Sequence, residues 1–283
     1  MNRGLQTSAV TLNGLSFNTL STGLEEDGDL VLLLHGFPQF ADVWSGIMAS
    51  LAANGFRPVA LDQRGYSAGA RPPEVENYDV PHLTSDVLAL ADALDTASFH
   101  LVGHDWGGFL AWKLAAEHPD RVRSVSVLST AHIDAFCEAI VEDPDQKARS
   151  QYIDFFKMPG HVAESYFLSN DAERLRGVYQ SKVPEAQVSC NVRRLSETGA
   201  LTSVLNWYRA LDLNARVGKV KVPTLYIWGD RDMALGRTAA TRTAGYVDAA
   251  YQFEVLEGYS HWLLEEAPDK IGELILNHLK TFG

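Results

Sequence analysis

The chain has 283 residues, 46% hydrophobic and 21% charged, an ordinary globular composition that is too apolar for a disordered chain and long enough for one large domain carrying an insertion. Lys+Arg 24 against Asp+Glu 36 leaves a net charge of −12, a surface that repels phosphate backbones and anionic headgroups and so argues against nucleic-acid and membrane partners. Cys137 and Cys190 are too few for a disulfide framework; the opening MNRGLQTSAV has no apolar leader core, and no stretch approaches the roughly 20 apolar residues of a membrane span, so a soluble, cytoplasmic protein is expected.

In chain order, Val10-Thr11-Leu12, Asn13-Gly14 and Leu15-Ser16-Phe17 read as a hairpin with an Asn-Gly turn. Leu30 to Leu34 is apolar at every position, which suits a strand buried on both faces of a parallel sheet. Ala41 to Ala53 has a helical pattern stopped by Asn54-Gly55. Arg57 to Leu61 is a short strand leading into Asp62-Gln63-Arg64-Gly65-Tyr66-Ser67. Leu83, Val87, Leu90 and Leu94 place an amphipathic helix over Val80 to Leu94. Phe99 to Val102 is a strand, Phe109 to His118 a helix ended by Pro119, and Val122 to Leu128 another strand.

This alternation predicts an α/β fold, a mostly parallel sheet with helices on both faces. From about Ala131 to Asn214 the rhythm gives way to helix-like segments. It resumes with strands over Val222 to Trp228 and Tyr251 to Leu256 and a closing helix from Pro268 to Thr281. A helical block set into a β/α series reads as a cap over the carboxyl edge of the sheet, where open α/β sheets bind ligands. The expected division is a core of residues 1–130 and 215–283 with a helical cap of residues 131–214.

The sharpest local signal is Gly103-His104-Asp105-Trp106-Gly107-Gly108, between a strand and a helix. Gly-x-nucleophile-x-Gly in that context is a nucleophile elbow, with the central residue strained and the glycines making room for it. Here the central residue is Asp105 rather than Ser. A Gly-rich turn with a helix-capping Asp would account for the same residues if they stood alone. Two further segments fall in the order nucleophile, acid, histidine. Trp228-Gly229-Asp230-Arg231-Asp232 offers an acid after one strand, and Gly258-Tyr259-Ser260-His261-Trp262 offers a base after the last. His35 and His104 are expected to brace loops, and His118 and His278 lie at a helix end and on the last helix.

With these residues the chain resembles the α/β-hydrolase superfamily, and within it the branch with an Asp nucleophile, the epoxide hydrolases and haloalkane dehalogenases. The likeness runs from His35-Gly36-Phe37-Pro38 through His261. It implies that the backbone N–H groups of Phe37 and Trp106 form the oxyanion hole and that Asp62 to Ser67 is a structural loop. It also implies that the acid is Asp232 rather than Asp230. In some members the acid follows the sixth strand instead; here that region, Leu128-Ser129-Thr130-Ala131, holds no carboxylate, and Asp134 lies a little farther on. Asn206-Trp207-Tyr208-Arg209 is similar to the Asn-Trp-Tyr-Arg motif of epoxide hydrolases, and Tyr152 precedes Pro159-Gly160 as the second cap tyrosine of that family does. The resemblance therefore implies that Tyr152 and Tyr208 polarise an epoxide oxygen, with Tyr166 and Tyr179 in reserve. No metal or organic cofactor is implied.

The chemistry agrees with that branch. A carboxylate needs no deprotonation and can displace a leaving group from saturated carbon, giving an alkyl ester. Opening an epoxide generates an alkoxide, for which a phenol of pKa about 10 is a good proton donor. A departing halide needs only N–H donors. One common dehalogenase pattern places an Asn directly after the first His-Gly, where this chain has Phe37. The cap's single Trp, Trp207, points about 100° around a helix from Tyr208. The expected function is hydrolysis of a small hydrophobic epoxide to a vicinal diol, by a monomer or homodimer. The alternatives are a haloalkane or haloacid dehalogenase using the same Asp105, His261 and Asp232, and a non-catalytic protein that kept the pocket.

Overall fold

A computed structural model describes residues 4–24 and 27–283. Residues 1–3, which open the segment read for a leader, lie outside the described residues. Eight strands form one sheet in the order β1-β2-β4-β3-β5-β6-β7-β8. They are β1 (Gln6–Leu12), β2 (Leu15–Ser21), β3 (Leu30–Leu34), β4 (Arg57–Leu61), β5 (Phe99–His104), β6 (Val122–Leu128), β7 (Thr224–Gly229) and β8 (Tyr251–Leu256). The first two form the expected hairpin, Leu12 facing Leu15 across an Asn13-Gly14 turn in which both residues have positive φ. That is the conformation Asn-Gly favours, because its twist matches the strands. β2 is antiparallel to β4, and every later pairing is parallel.

Full burial of β3 shows why its run has no polar residue. Leu30, Leu32 and Leu34 pack into one core with Leu83, Val87 and Leu90 of α2 (after α1, Ser45–Ala53; α2 is Val80–Ala93) and Leu110 and Leu114 of α3 (Trp106–Glu117). Val31 and Leu33 face the other way, into a core with Ile47, Met48 and Leu51 of α1. The last helix, α12 (Pro268–Phe282), closes that second face through Ile271, Ile275 and Leu279. The remaining α-helices among the described residues are α4 (Ile133–Glu142), α5 (Pro144–Arg149), α6 (Gln151–Phe156), α7 (Val162–Gly177, broken by non-helical backbone at Ser169 to Ala172), α8 (Glu185–Leu195), α9 (Ala200–Arg209), α10 (Arg237–Arg242) and α11 (Leu263–Glu266).

Of the boundaries that differ from the sequence pattern, two have a plain local cause. The third helix starts at Trp106 rather than Phe109, because the chain passes from β5 into the helix through a single residue, Asp105. β7 starts at Thr224 rather than Val222, since Pro223 has no N–H to give a ladder.

All six helices α4 to α9 lie between β6 and β7. The loop after β4 fastens two of them, and the loop after β3 holds the segment between α7 and α8. Trp207 of α9 donates its indole N–H to the Arg64 carbonyl at 2.8 Å, and Arg194 of α8 pairs with Asp62. Tyr179 donates to the Pro38 carbonyl at 2.7 Å. Arg64 is held by Asp86 at 2.7 Å, a pair almost without solvent access.

The elbow requires glycine at its base. A Cβ on Gly103 would stand 2.2 Å from the Gly107 carbonyl oxygen and 2.6 Å from the Gly108 nitrogen, all backbone and unable to yield. Gly103→Ala is expected to lower unfolding free energy by about 3 kcal/mol, the upper range for overpacking, measured by urea denaturation followed by circular dichroism. A loss below about 1 kcal/mol would show that the turn can relax around a methyl group.

Candidate active site

Asp105 has φ 52 and ψ −120, outside the ordinary regions for a residue with a side chain, a strain of about 1–3 kcal/mol that its surroundings must enforce. Three contacts do so. Thr130, just past β6, donates its hydroxyl to the Asp105 carbonyl at 2.8 Å. The backbone N–H of Phe37, past β3, donates to Asp105 Oδ1 at 2.7 Å, and the N–H of Trp106 bonds the same carboxylate. Burial raises the Asp105 pKa, while the charge of His261 and these two N–H groups oppose the rise.

His261 stands with Nε2 3.6 Å from Asp105 Oδ2 and Nδ1 2.9 Å from Asp232 Oδ2. The other oxygen of Asp232 accepts the N–H groups of Ala234 and Leu235 at 2.8 and 3.1 Å, so this carboxylate is fixed by its own turn. The imidazole backbone is fixed too: its carbonyl accepts from His104 Nε2 at 2.9 Å and from the Ser129 hydroxyl at 3.0 Å. Burial pulls the His261 pKa down, but the charge and hydrogen bond of Asp232, then the charge of Asp105, more than offset it and carry it to about 9. His104 goes the other way, lowered by burial and by the nearby His261. It is therefore neutral, with the proton on the nitrogen that meets the carbonyl.

Tyr152 on α6 and Tyr208 on α9 face this group from the helical block, their ring centroids 6.1 Å apart and nearly perpendicular. Burial and the charge of Asp105 raise both phenols, so both remain protonated at neutral pH. The rings of Phe37, Trp106 and Phe156 enclose Tyr208 at centroid distances of 5.9, 5.0 and 4.8 Å. Two cavities meet at Asp105, Tyr152, Tyr208 and His261, one of about 70 Å³ and one of about 460 Å³.

The structure thus gathers Asp105, His261, Asp232, Tyr152, Tyr208, Phe37 and Trp106 at one place. The other candidates are engaged elsewhere. Asp230 accepts the Gly258 N–H at 2.7 Å, pinning the turn that presents His261. Asp134 accepts the N–H groups of Val217 and Gly218, each at 3.0 Å. Tyr179 is spent on Pro38, and Tyr166 lies 43% exposed at the rim of the larger cavity. His35 braces its loop as expected: Nε2 accepts the Gln63 N–H at 3.3 Å, and its carbonyl accepts the Gln63 side chain at 2.6 Å.

Ser129, Thr130 and Glu265 have roles that no sequence motif assigns. In the sequence the first two stand only in a loop without a carboxylate. Glu265 lies four residues after His261, where α11 turns it toward the Gln39 side chain, which donates to it. Burial raises its pKa to about 7. That four-residue spacing was the available signal.

Comparison with known proteins agrees in family. Residues 29–268 match the family model described as alpha/beta hydrolase fold. The chain is 33% identical to the AB hydrolase superfamily protein YfhM of Bacillus subtilis, over 98% of this chain and 99% of that one. It is 32% identical to epoxide hydrolase 3 of Xenopus tropicalis, over 95% of this chain and 76% of the relative. A crystal structure of the Bacillus megaterium epoxide hydrolase with an inhibitor superposes with a TM-score of 0.87 at 25% identity, covering 96% of this chain and 100% of that one.

The charges around His261 set a pH dependence. Its folded pKa of about 9 exceeds the ordinary 6.5, so its protonation contributes stability fully below pH 6.5, and that contribution is lost as pH rises through about 9. In Asp105→Asn one of the two anions is gone, and the His261 pKa should fall by about one unit or more. An NMR titration of the His261 Hε1 signal in both proteins checks this. Titration at the same pH in both would show that the two side chains are not electrostatically coupled.

Proposed function

The chain belongs to the α/β-hydrolase fold family, and from that premise we propose that it hydrolyses epoxides to vicinal diols through an ester on Asp105. The observation that carries this reading is the pair of protonated phenols, Tyr152 and Tyr208, held on separate helices over one carboxylate. The helical block of residues 131–214 acts as the cap that delivers them. The reaction is hydrolysis of an ether bond.

Asp105 Oδ1 is engaged by the Phe37 N–H, which leaves Oδ2 to attack an epoxide carbon. The carbon–oxygen bond breaks, the oxygen takes a proton from one of the two phenols, and an alkyl ester and a hydroxyl result. Asp105 has now lost its charge, so His261 loses one of the influences that raise its pKa and gives its proton to the tyrosinate. The imidazole becomes a base at the step that needs one. Water then attacks the ester carbonyl carbon while Nε2 takes one of its protons. The N–H groups of Phe37 and Trp106 hold the oxyanion, where one such donor is typically worth about 3–4 kcal/mol. Collapse expels the diol oxygen as alkoxide, which takes the proton of the new Asp105 carboxyl. Asp105 is again ionised, His261 again protonated and both phenols intact; the sum is epoxide plus water to diol.

Trp207 bears on the choice of leaving group. Its indole N–H is already bonded to the Arg64 carbonyl, so it does not offer a halide a second donor beside Trp106.

The test is to trap the ester. His261→Gln exposed to an epoxide should gain the mass of that epoxide on Asp105 and release diol 10²–10⁴-fold more slowly than wild type, the usual range for a lost general base. Tyr152→Phe and Tyr208→Phe should each slow ester formation by about tenfold or more, followed in a single turnover. Adduct and halide release from a haloalkane alone would select the dehalogenase instead. If neither class of compound forms an adduct or is turned over, the protein is a binder.

A further inference from the structure

The two cavities meet at the reacting groups and then part. Only Asp105, Tyr152, Tyr208, Ala234 and His261 line both. The narrow arm holds about 70 Å³, the space of roughly two or three water-sized groups at about 30 Å³ each. Phe109, Phe136, Ile153, Leu211, Leu213 and Leu235 line it. Ser129 and Thr130, which also line it, have already given their O–H protons to the His261 and Asp105 carbonyls, so away from the junction the side chains of the arm are mostly apolar.

The wide arm holds about 460 Å³, within the range that takes a whole drug-sized ligand. Its wall is aromatic, with Phe155, Phe156, Phe167 and Trp262 prominent. It also reaches the surface: Tyr166 and Met233 line it and are 43% and 38% exposed. A long group in this arm can extend outward, whereas the small volume of the other limits its occupant.

Resting on the epoxide reading above, the geometry points to a substrate class: unequally 1,2-disubstituted epoxides, with an aryl or long apolar group on one carbon and a short alkyl group on the other. The ring sits at the junction, where Asp105 meets either carbon and the two phenols meet the oxygen. The large substituent occupies the arm walled by Phe155, Phe156 and Phe167, and the small one the arm lined by Phe109, Phe136 and Leu213. Symmetrical epoxides with two large groups do not fit both arms.

A panel of trans epoxides tests this, with phenyl fixed on one carbon and hydrogen, methyl, propyl, pentyl or a second phenyl on the other. The wild-type kcat/KM is expected to hold from methyl to propyl and to fall at least tenfold for pentyl and for the second phenyl. Lengthening the phenyl side with a para-alkyl chain should change it by less than threefold. In Phe136→Ala, and separately in Leu213→Ala, the pentyl-to-methyl ratio of kcat/KM should rise at least tenfold. Phe167→Ala in the other arm should leave that ratio alone. A wild-type profile flat from methyl to the second phenyl, or a ratio unmoved in both narrow-arm variants, overturns the proposal while diol formation keeps the epoxide reading. No diol from any member, styrene oxide included, overturns both.

Discussion

An ionised carboxylate taken out of water costs several kcal/mol unless its charge is met by donors and a counter-charge, and this site buries one, Asp232, and largely shields a second, Asp105. Asp232 is met by the Ala234 and Leu235 N–H groups and by His261. Asp105 is met by the N–H groups of Phe37 and Trp106, with His261 3.6 Å away. The compensating groups come from the loops after β3, β5, β7 and β8, so the carboxylates can stay charged only where these strand ends converge. One imidazole serves both anions, which is why its pKa stands near 9. The parallel sheet is what brings those four loops to a single edge.

Backbone carbonyls carry much of the fixing. Thr130 holds the carbonyl of Asp105, while His104 and Ser129 together hold that of His261. These bonds restrain the main chain and leave the reacting side-chain atoms free. His104 suits the task because burial keeps it neutral, with one donor nitrogen. The same economy appears in the Asp62 to Ser67 loop, where Asp62 accepts the Ala41 N–H at 2.8 Å and the Arg64 carbonyl accepts Trp207. Side chains of the core there grip the main chain, and one main-chain carbonyl grips α9. The position of α9, and with it Tyr208, is therefore referred to the sheet through Arg64.

The strands and the elbow were legible because their signals are local. Full burial leaves β3 no place for a polar residue, and a turn of one residue between strand and helix leaves glycine at its base. The Asp105, Asp232 and His261 set was legible from chain order together with the likeness to a known family. The start of α3 was not, since Trp106-Gly107-Gly108 shows no periodicity; its helical geometry is imposed by Asp105 and the packing of Gly107 on β3. Ser129 and Thr130 were illegible for a different reason. Their contacts reach 132 residues to His261 and 25 residues back to Asp105, and a short loop of small polar residues carries no mark of what it will meet. Glu265 shows the same limit, because its partner Gln39 is 226 residues away. The choice between Trp207 and Tyr208 was half legible. Helical spacing says that they diverge, but only the carbonyl of Arg64 decides which one turns away.

Phe37 and Trp106 have a double use that follows from this arrangement. Through the backbone each donates to the Asp105 carboxylate. Through the ring each packs edge-on against Tyr208, at 5.9 and 5.0 Å. The distance from the carboxylate to the Tyr208 phenol is thus spanned by two residues whose main chain holds one partner and whose side chain holds the other. Replacing either ring by a small side chain would leave the N–H groups in place and loosen the phenol. The proposed chemistry needs both at once, an oxygen nucleophile on one side of a strained ring and a proton donor on the other. An aromatic residue at each of these two positions is a compact way to couple them, because one residue meets the carboxylate through its N–H and the phenol through its ring. Position 37, where Asn would supply a halide donor, instead contributes an apolar ring to the wall around Tyr208. That exchange of hydrogen bonding for packing at position 37 fits the proposed oxygen leaving group, and it lies in a loop of the sheet rather than in the helical block.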